Sequence, residues 1–295
     1  MNKSKIIYLS AMLIFGSIGL VSRNIQLSSG QIALTRGVIG SIFLFLASMA
    51  MKEKMSWQKL KPNLLLLILS GAGIGFNWIL MFEAYKFTSI ANATLSYYFA
   101  PVFVVLLSPL LLKERITPIK VGCILAALGG MFLVIGVGGG EGKNHMIGIG
   151  YGLAAAVLYA GVVILNKYLK GLSGLEVTLI QIGAATIVLF PYILITETIN
   201  VFSVDTRSAV FLIIMGSLHT GVAYLMYFTG MKMLKAQTVA VLSYTDPISA
   251  ILMSALFVRE RLTLLQIFGG ILILGATLFS EIYDRKKGLQ FTSDK

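Results

Sequence analysis

The chain has 295 residues, of which 57% are hydrophobic and 12% charged, and it carries a formal net charge of +12. Soluble globular domains hold roughly 45–50% apolar and about 25% charged residues, so a water-facing fold is excluded, and at about 20 residues per crossing the length leaves room for roughly ten membrane helices and no sizeable extramembrane domain. The Lys and Arg residues fall in short clusters between apolar runs, not along one amphipathic face, which argues for a lipid bilayer as partner and against nucleic acid.

In chain order, apolar runs long enough to span occupy residues 6–22, 31–51, 63–82, 89–112, 117–137, 146–165, 175–195, 208–228, 237–258 and 263–283. They predict an all-α, polytopic membrane protein of ten transmembrane helices. The first run follows Lys3 and Lys5 as a secretory signal would, but the many runs after it make it a first membrane helix. Pro101 and Pro109 interrupt the fourth run, where a kink is expected. Tyr8, Trp57, Tyr85 and Tyr283 stand near run ends, where aromatic rings usually anchor at the lipid–water interface. Gly71, Gly73 and Gly75 begin like a dinucleotide fingerprint but sit inside an apolar run, so they read as helix-packing residues. Gly122, Gly129, Gly130, Gly269, Gly270 and Gly275 permit close contacts within the protein or across a homodimer, and monomer and homodimer both stay open. The stretch from Gly138 to Lys143 lacks the glycine and Ser/Thr positions of a phosphate loop and reads as a linker between halves. The single cysteine, Cys123, provides neither a disulfide framework nor metal-ligand spacing, and no cofactor motif is present.

Basic residues remain on the cytoplasmic side during insertion. With the N-terminus inside, the outer segments hold only Arg23, Lys86, Lys143, Arg207, Arg259 and Arg261 among the chain's 24 Lys and Arg. Both termini are therefore expected in the cytoplasm, at a cell inner membrane or plasma membrane. Arg259 and Arg261 oppose the rule, which partial neutralisation by Glu260 accommodates.

Sliding the chain on itself by 146 residues brings Gly75, Phe82, Lys86, Tyr98, Pro101, Ser108, Glu114, Arg115, Thr117 and Gly129 onto identical residues without a gap. The partners are Gly221, Phe228, Lys232, Tyr244, Pro247, Ser254, Glu260, Arg261, Thr263 and Gly275. Both apolar helices and charged turns align, which identifies a duplication, with halves at 1–140 and 141–295. An odd number of helices per half inverts the second half, and inverted repeats are the architecture of many secondary transporters.

The paired stretches EAYKFTSIANATLSYYFAPVFVVLLSPLLLKERITPIKVGCILAALGG and TGMKMLKAQTVAVLSYTDPISAILMSALFVRERLTLLQIFGGILILG resemble the two repeats of the EamA branch of the drug/metabolite transporter superfamily. The resemblance implies ten helices, a central cavity lined mainly by the first, third, fourth, sixth, eighth and ninth, and transport of amino acids or related metabolites, often outward. A multidrug or organic-cation efflux transporter is the alternative. An enzyme is not expected, because HExxH, nucleophile-elbow and Cys/His patterns are absent.

Polar groups inside membrane helices are costly unless they face a cavity or one another. Asp246 lies mid-run before Pro247, where its repeat counterpart is the neutral Ala100, and could receive a substrate ammonium or a coupling proton; pairing with Arg36 or with freed backbone groups is the structural alternative. Arg36, in the second run, and His219, deep in the eighth, are further candidates for coupling or a charge pair. Thr220, Tyr224 and Tyr227 share one face of the eighth helix, and Asn77 and Trp78 lie in its repeat partner, with Trp78 aligned to Tyr224. Tyr98 and Tyr244 align before the two prolines, with Ser96 and Tyr97 beside the first. Tyr159 and Asn92 complete the set. Aromatic faces attract ammonium groups while hydroxyls and amides fix polar ends, so such a lining suits small-molecule metabolites of the amino-acid type.

Overall fold

The structure, a computed structural model, describes residues 3–52, 56–112, 116–136, 143–199, 201–232, 234 and 242–286. The turn containing Lys113, Glu114 and Arg115, most of the 138–143 linker and the beginning of the ninth run lie outside the described residues.

Within the described residues each apolar run folds largely as helix. The elements are α1 (Lys3–Gly16), α2 (Ile18–Ser22), α3 (Ser29–Ala50), a short α4 (Trp57–Leu60), α5 (Leu64–Phe87), α6 (Ile90–Tyr97), α7 (Ala100–Leu111), α8 (Pro118–Gly136), α9 (Lys143–Lys167), α10 (Gly174–Thr196), α11 (Thr206–Ile214), α12 (Ala223–Lys232), α13 (Thr245–Met253) and α14 (Leu264–Lys286). A π-helical segment, Met215–Val222, joins α11 to α12, and a π turn, Ser254–Val258, continues α13. Strands are absent among the described residues. Seven spans there are long and apolar enough to cross a membrane, and the apolar stretches Pro118–Val134, Thr245–Val258 and Leu264–Ser280 are shorter.

Helix starts follow local chemistry. Ser28 and Ser89 accept from the backbone amides of Gln31 and Asn92, and Ser173 with Glu176 closes a reciprocal capping box. Asp205 accepts from the amides of Arg207 and Ser208 at the start of α11. Each satisfies donors that the first helical turn leaves without an intrahelical partner. Large apolar side chains such as Leu110, Ile187, Ile195 and Phe257 project outward, as a lipid-facing surface requires.

Helices of the first half pack on helices of the second. α1 lies against α12 and α13, α3 against α10 and the π-helical segment, α5 against α9 and α10, and α8 against α14. Exchanging the halves maps these pairs onto one another: α1 with α12 becomes α9 with α5, α1 with α13 becomes α9 with α6 and α7, and α3 with the π segment becomes α10 with α5. The pairs α3 with α10 and α8 with α14 map onto themselves.

Small residues let backbones meet. A Cβ placed on Gly130 would lie 2.6 Å from the Gly269 carbonyl oxygen, and one on Gly269 would lie 2.5 Å from that of Gly130. The Gly71–Gly75 run serves the same purpose, with Gly71 against the Gln181 carbonyl and Gly75 against Leu189. By contrast, Gly122, Gly129 and Gly275 have no neighbouring atom within 4 Å of a built Cβ.

Two aromatic assignments change. Tyr8 is fully buried, its hydroxyl 2.8 Å from Ser243 Oγ, and Tyr85 belongs to the main core with Trp78, Phe82 and Ile90. Both sit near the ends of apolar runs, but other elements cover them: the Tyr227 ring lies 5.4 Å from that of Tyr8, and the core that holds Tyr85 also includes Ile32 of α3, Ile90 of α6 and Leu179 of α10. Trp57, 64% exposed, keeps the surface position expected of an anchor.

Glu260 makes a contact its flanking arginines do not explain. It pairs with Arg23 at 2.8 Å and accepts from the backbone amides of Ile90 and Ala91 at the start of α6. Arg23 in turn donates to the carbonyls of Tyr85 and Thr88 at the end of α5. One ion pair thus caps two helix termini with the charge each favours and ties the second half to the first. The neutralising partner of Glu260 is Arg23, across the halves, where the neighbouring Arg259 and Arg261 are expected from the sequence.

Candidate functional site

Four of the helical interruptions are linked in series by contacts at or beside the breaks. The first span breaks at Ser17 between α1 and α2, the fourth at Tyr98 and Phe99 between α6 and α7, and the eighth loosens into its π-helical segment. A further turn falls at Tyr244, ahead of α13. Ser17 Oγ lies 2.9 Å from His219 Nε2 in the π segment, Gly16 packs against the Asp246 carbonyl and Ser249, and the Tyr98 hydroxyl donates to Asp246 Oδ2 at 2.7 Å. Inside a membrane, irregular backbone is tolerated where protein buries it or where it lines an aqueous space, and π segments recur at functional sites.

Arg36 enters this cluster from α3. It is 3% exposed, its Nε donates to Thr220 Oγ1 at 2.7 Å, and its guanidinium lies 4.4 Å from the centre of the Trp78 ring. Thr220 is available because the π register turns its hydroxyl back toward the Met215 carbonyl, 3.2 Å away. Trp78 comes from the centre of α5, and Gly37 of α3 lies beside it, leaving room for Thr186 of α10, whose Oγ1 would be 2.5 Å from a Cβ built there. Arg36 and Asp246 form no salt bridge; those found among the described residues are Arg23–Glu260 and Lys86–Glu83. Tyr85, Tyr97 and Tyr224 each interact electrostatically with both Arg36 and Asp246, so the cation and the anion share the same three phenol side chains as neighbours.

The structure therefore brings together Arg36, Trp78, Tyr97, Tyr98, His219, Thr220, Tyr224 and Asp246. Tyr159 joins at the edge, its ring 5.5 Å from Tyr97 and 41% exposed. Other candidates are engaged in packing. Asn77 donates to the Ala155 carbonyl of α9 at 2.7 Å, Ser96 to the Asn92 carbonyl of its own helix, and Tyr244 to Thr277 of α14. Tyr227 sits in a ring cluster with Tyr8, Phe15 and Phe228. Asn92 accepts from Gln266, joining α6 to α14. Two participants escape a reading of the sequence: Ser17, whose only signal is a Gly-Ser pair midway along the first run, and Tyr85, which its place near a run end assigns to the lipid–water interface. Among the described residues no group of three or more His, Cys, Asp or Glu could hold a metal ion.

Comparison with known proteins agrees with this architecture. The chain is 28% identical over 265 residues to the uncharacterized transporter YxxF of Bacillus subtilis, covering 89% of this chain and 84% of that protein. It is 30% identical over 256 residues to the uncharacterized transporter YdfC of the same species, covering 85% and 81%, and 27% identical over 231 residues to protein PecM of Dickeya dadantii, covering 75% and 76%. A solved crystal structure superposes with a TM-score of 0.62 at 19% identity over 96% of this chain and 98% of that one, which establishes a common fold. The sequence model of the EamA-like transporter family matches twice, over residues 3–136 and again over 146–281. With helices that span the bilayer, a matched pair of repeats and transporter relatives along most of its length, this chain belongs to the EamA-like transporter family of multi-pass membrane proteins.

Proposed function

We propose that this protein is a secondary transporter that moves amino acids or amino-acid derivatives outward across the cytoplasmic membrane by alternating access. It has ten transmembrane helices in two inverted halves, 1–140 and 141–295, with both termini cytoplasmic. The observation that carries the reading is Asp246: a carboxylate at a helix break, held by Tyr98 of the other half and surrounded by tyrosines of both. A carboxylate among aromatic faces is a receptor for an ammonium group. Because its holder belongs to the opposite half, movement of one half against the other changes its surroundings, as alternating access requires. The exchange of helix contacts between halves supports the same picture.

The test is counterflow of labelled phenylalanine and leucine into proteoliposomes holding purified protein. Wild type is expected to accumulate at least one of them, and Asp246→Asn to lose at least tenfold of that uptake. Movement of ethidium or tetraphenylphosphonium with no amino-acid uptake would replace this reading with organic-cation efflux.

A further inference from the structure

Arg36 is a buried cation whose protein contacts leave most of its donors unused. Among the described residues its single side-chain hydrogen bond is from Nε to Thr220 Oγ1, and Trp78 covers one face of the guanidinium. The two terminal amino groups meet no acceptor among the described residues. No carboxylate forms an ion pair with it there. With Nε fixed and one face stacked, the group left free is the planar end-on edge, whose parallel N–H bonds match the two oxygens of a carboxylate. Removing a charge from water without a counter-ion is unfavourable, so this position is completed by an anion that arrives from outside the protein.

Resting on the amino-acid reading above, we propose that Arg36 is the receptor for the substrate's carboxylate, bound bidentately through the terminal amino groups, with the ammonium directed toward Tyr85, Tyr97, Tyr224 and Asp246. The site is thereby bipolar: a cation and an anion that form no ion pair with each other and share three tyrosine neighbours are complementary to a zwitterion. Thr220 and Trp78 position the guanidinium and need not touch substrate.

The experiment uses full-length protein in proteoliposomes. Counterflow of phenylalanine is challenged with phenethylamine, which lacks the carboxylate, and with 3-phenylpropionate, which lacks the ammonium; leucine is challenged with 3-methylbutylamine and 4-methylpentanoate. In wild type the acids are expected to compete, and the amines to need at least tenfold higher concentration than the amino acid itself. Arg36→Gln should raise the KM for the amino acid at least tenfold and erase the preference for the acid, and Arg36→Lys should recover part of it. Size-exclusion profiles and thermal melts report whether the variants fold, and the wild-type competition decides the question without them. Amines that compete as well as the amino acid, or an unchanged KM in folded Arg36→Gln, overturn the carboxylate site alone. Wild type that carries neither amino acid, seen before any competitor is added, overturns the amino-acid reading and this inference with it.

Discussion

Tyr98 shows how little of a site a single position discloses. Its alignment with Tyr244 suggests equivalent roles, yet Tyr98 donates to Asp246 across the halves while Tyr244 donates to Thr277 of a neighbouring helix. Duplication preserved the residue, and the different neighbours changed its use. Tyr98→Phe removes one charge-assisted donor from a half-buried carboxylate, an interaction worth about 1.5–3 kcal/mol. The expected outcome is a lower melting temperature in detergent and a changed KM in counterflow, with protein still inserted in the membrane. A KM and melting temperature equal to wild type would remove Tyr98 from the site. The charges themselves were legible in the sequence, because Arg36, His219 and Asp246 interrupt apolar runs where nothing in lipid would satisfy them. Their partners were not: a hydrogen bond between residues 98 and 246 depends on how two helices meet, and periodicity carries no information about that.

Helix ends and crossings hold the site in place. Glu260 supplies the acceptors for the first amides of α6 while pairing with Arg23, which supplies donors to the last carbonyls of α5. Glu260→Ala leaves the first amides of α6 without their acceptor and Arg23 without its counter-ion, and a lost cap and a lost charge-assisted bond together cost about 1–3 kcal/mol. The measurement is hydrogen exchange, with faster exchange expected at the amides of Ile90 and Ala91; unchanged protection there would mean that other groups cap α6. Gly130 and Gly269 present the opposite case, a contact with no polar side chain at all. Gly269→Val drives a side chain into the Gly130 backbone and should separate α8 from α14, lowering the melting temperature by several degrees. Element positions were legible because apolar runs of membrane length admit little but helix. Breaks were less so: Pro101 signalled the turn at Tyr98, whereas the π-helical segment from Met215 to Val222 has no proline and shows itself only through its packing on α3.

Across the whole molecule, each half supplies what the other lacks: the first gives Arg36, Trp78 and Tyr98, the second His219, Thr220 and Asp246. The duplication was legible because charged turns aligned along with apolar helices; the way the halves interleave was not, since self-similarity says nothing of which faces meet. If access alternates, the Arg23–Glu260 bridge has to open in one state of the cycle. Substituting both with cysteine in a Cys123→Ser background allows a direct check, with oxidation expected to stop counterflow and reduction to restore it. Full transport by the cross-linked protein would show that this end of the bundle does not move. The chain contains two tryptophans, and the fold has placed them at opposite extremes: Trp57 faces outward and Trp78 lies beneath the Arg36 guanidinium. Replacing Trp57 with Phe therefore leaves one intrinsic fluorophore, in contact with the charge that the substrate is inferred to neutralise, so that occupancy of the site can be followed by light emission in unlabelled protein.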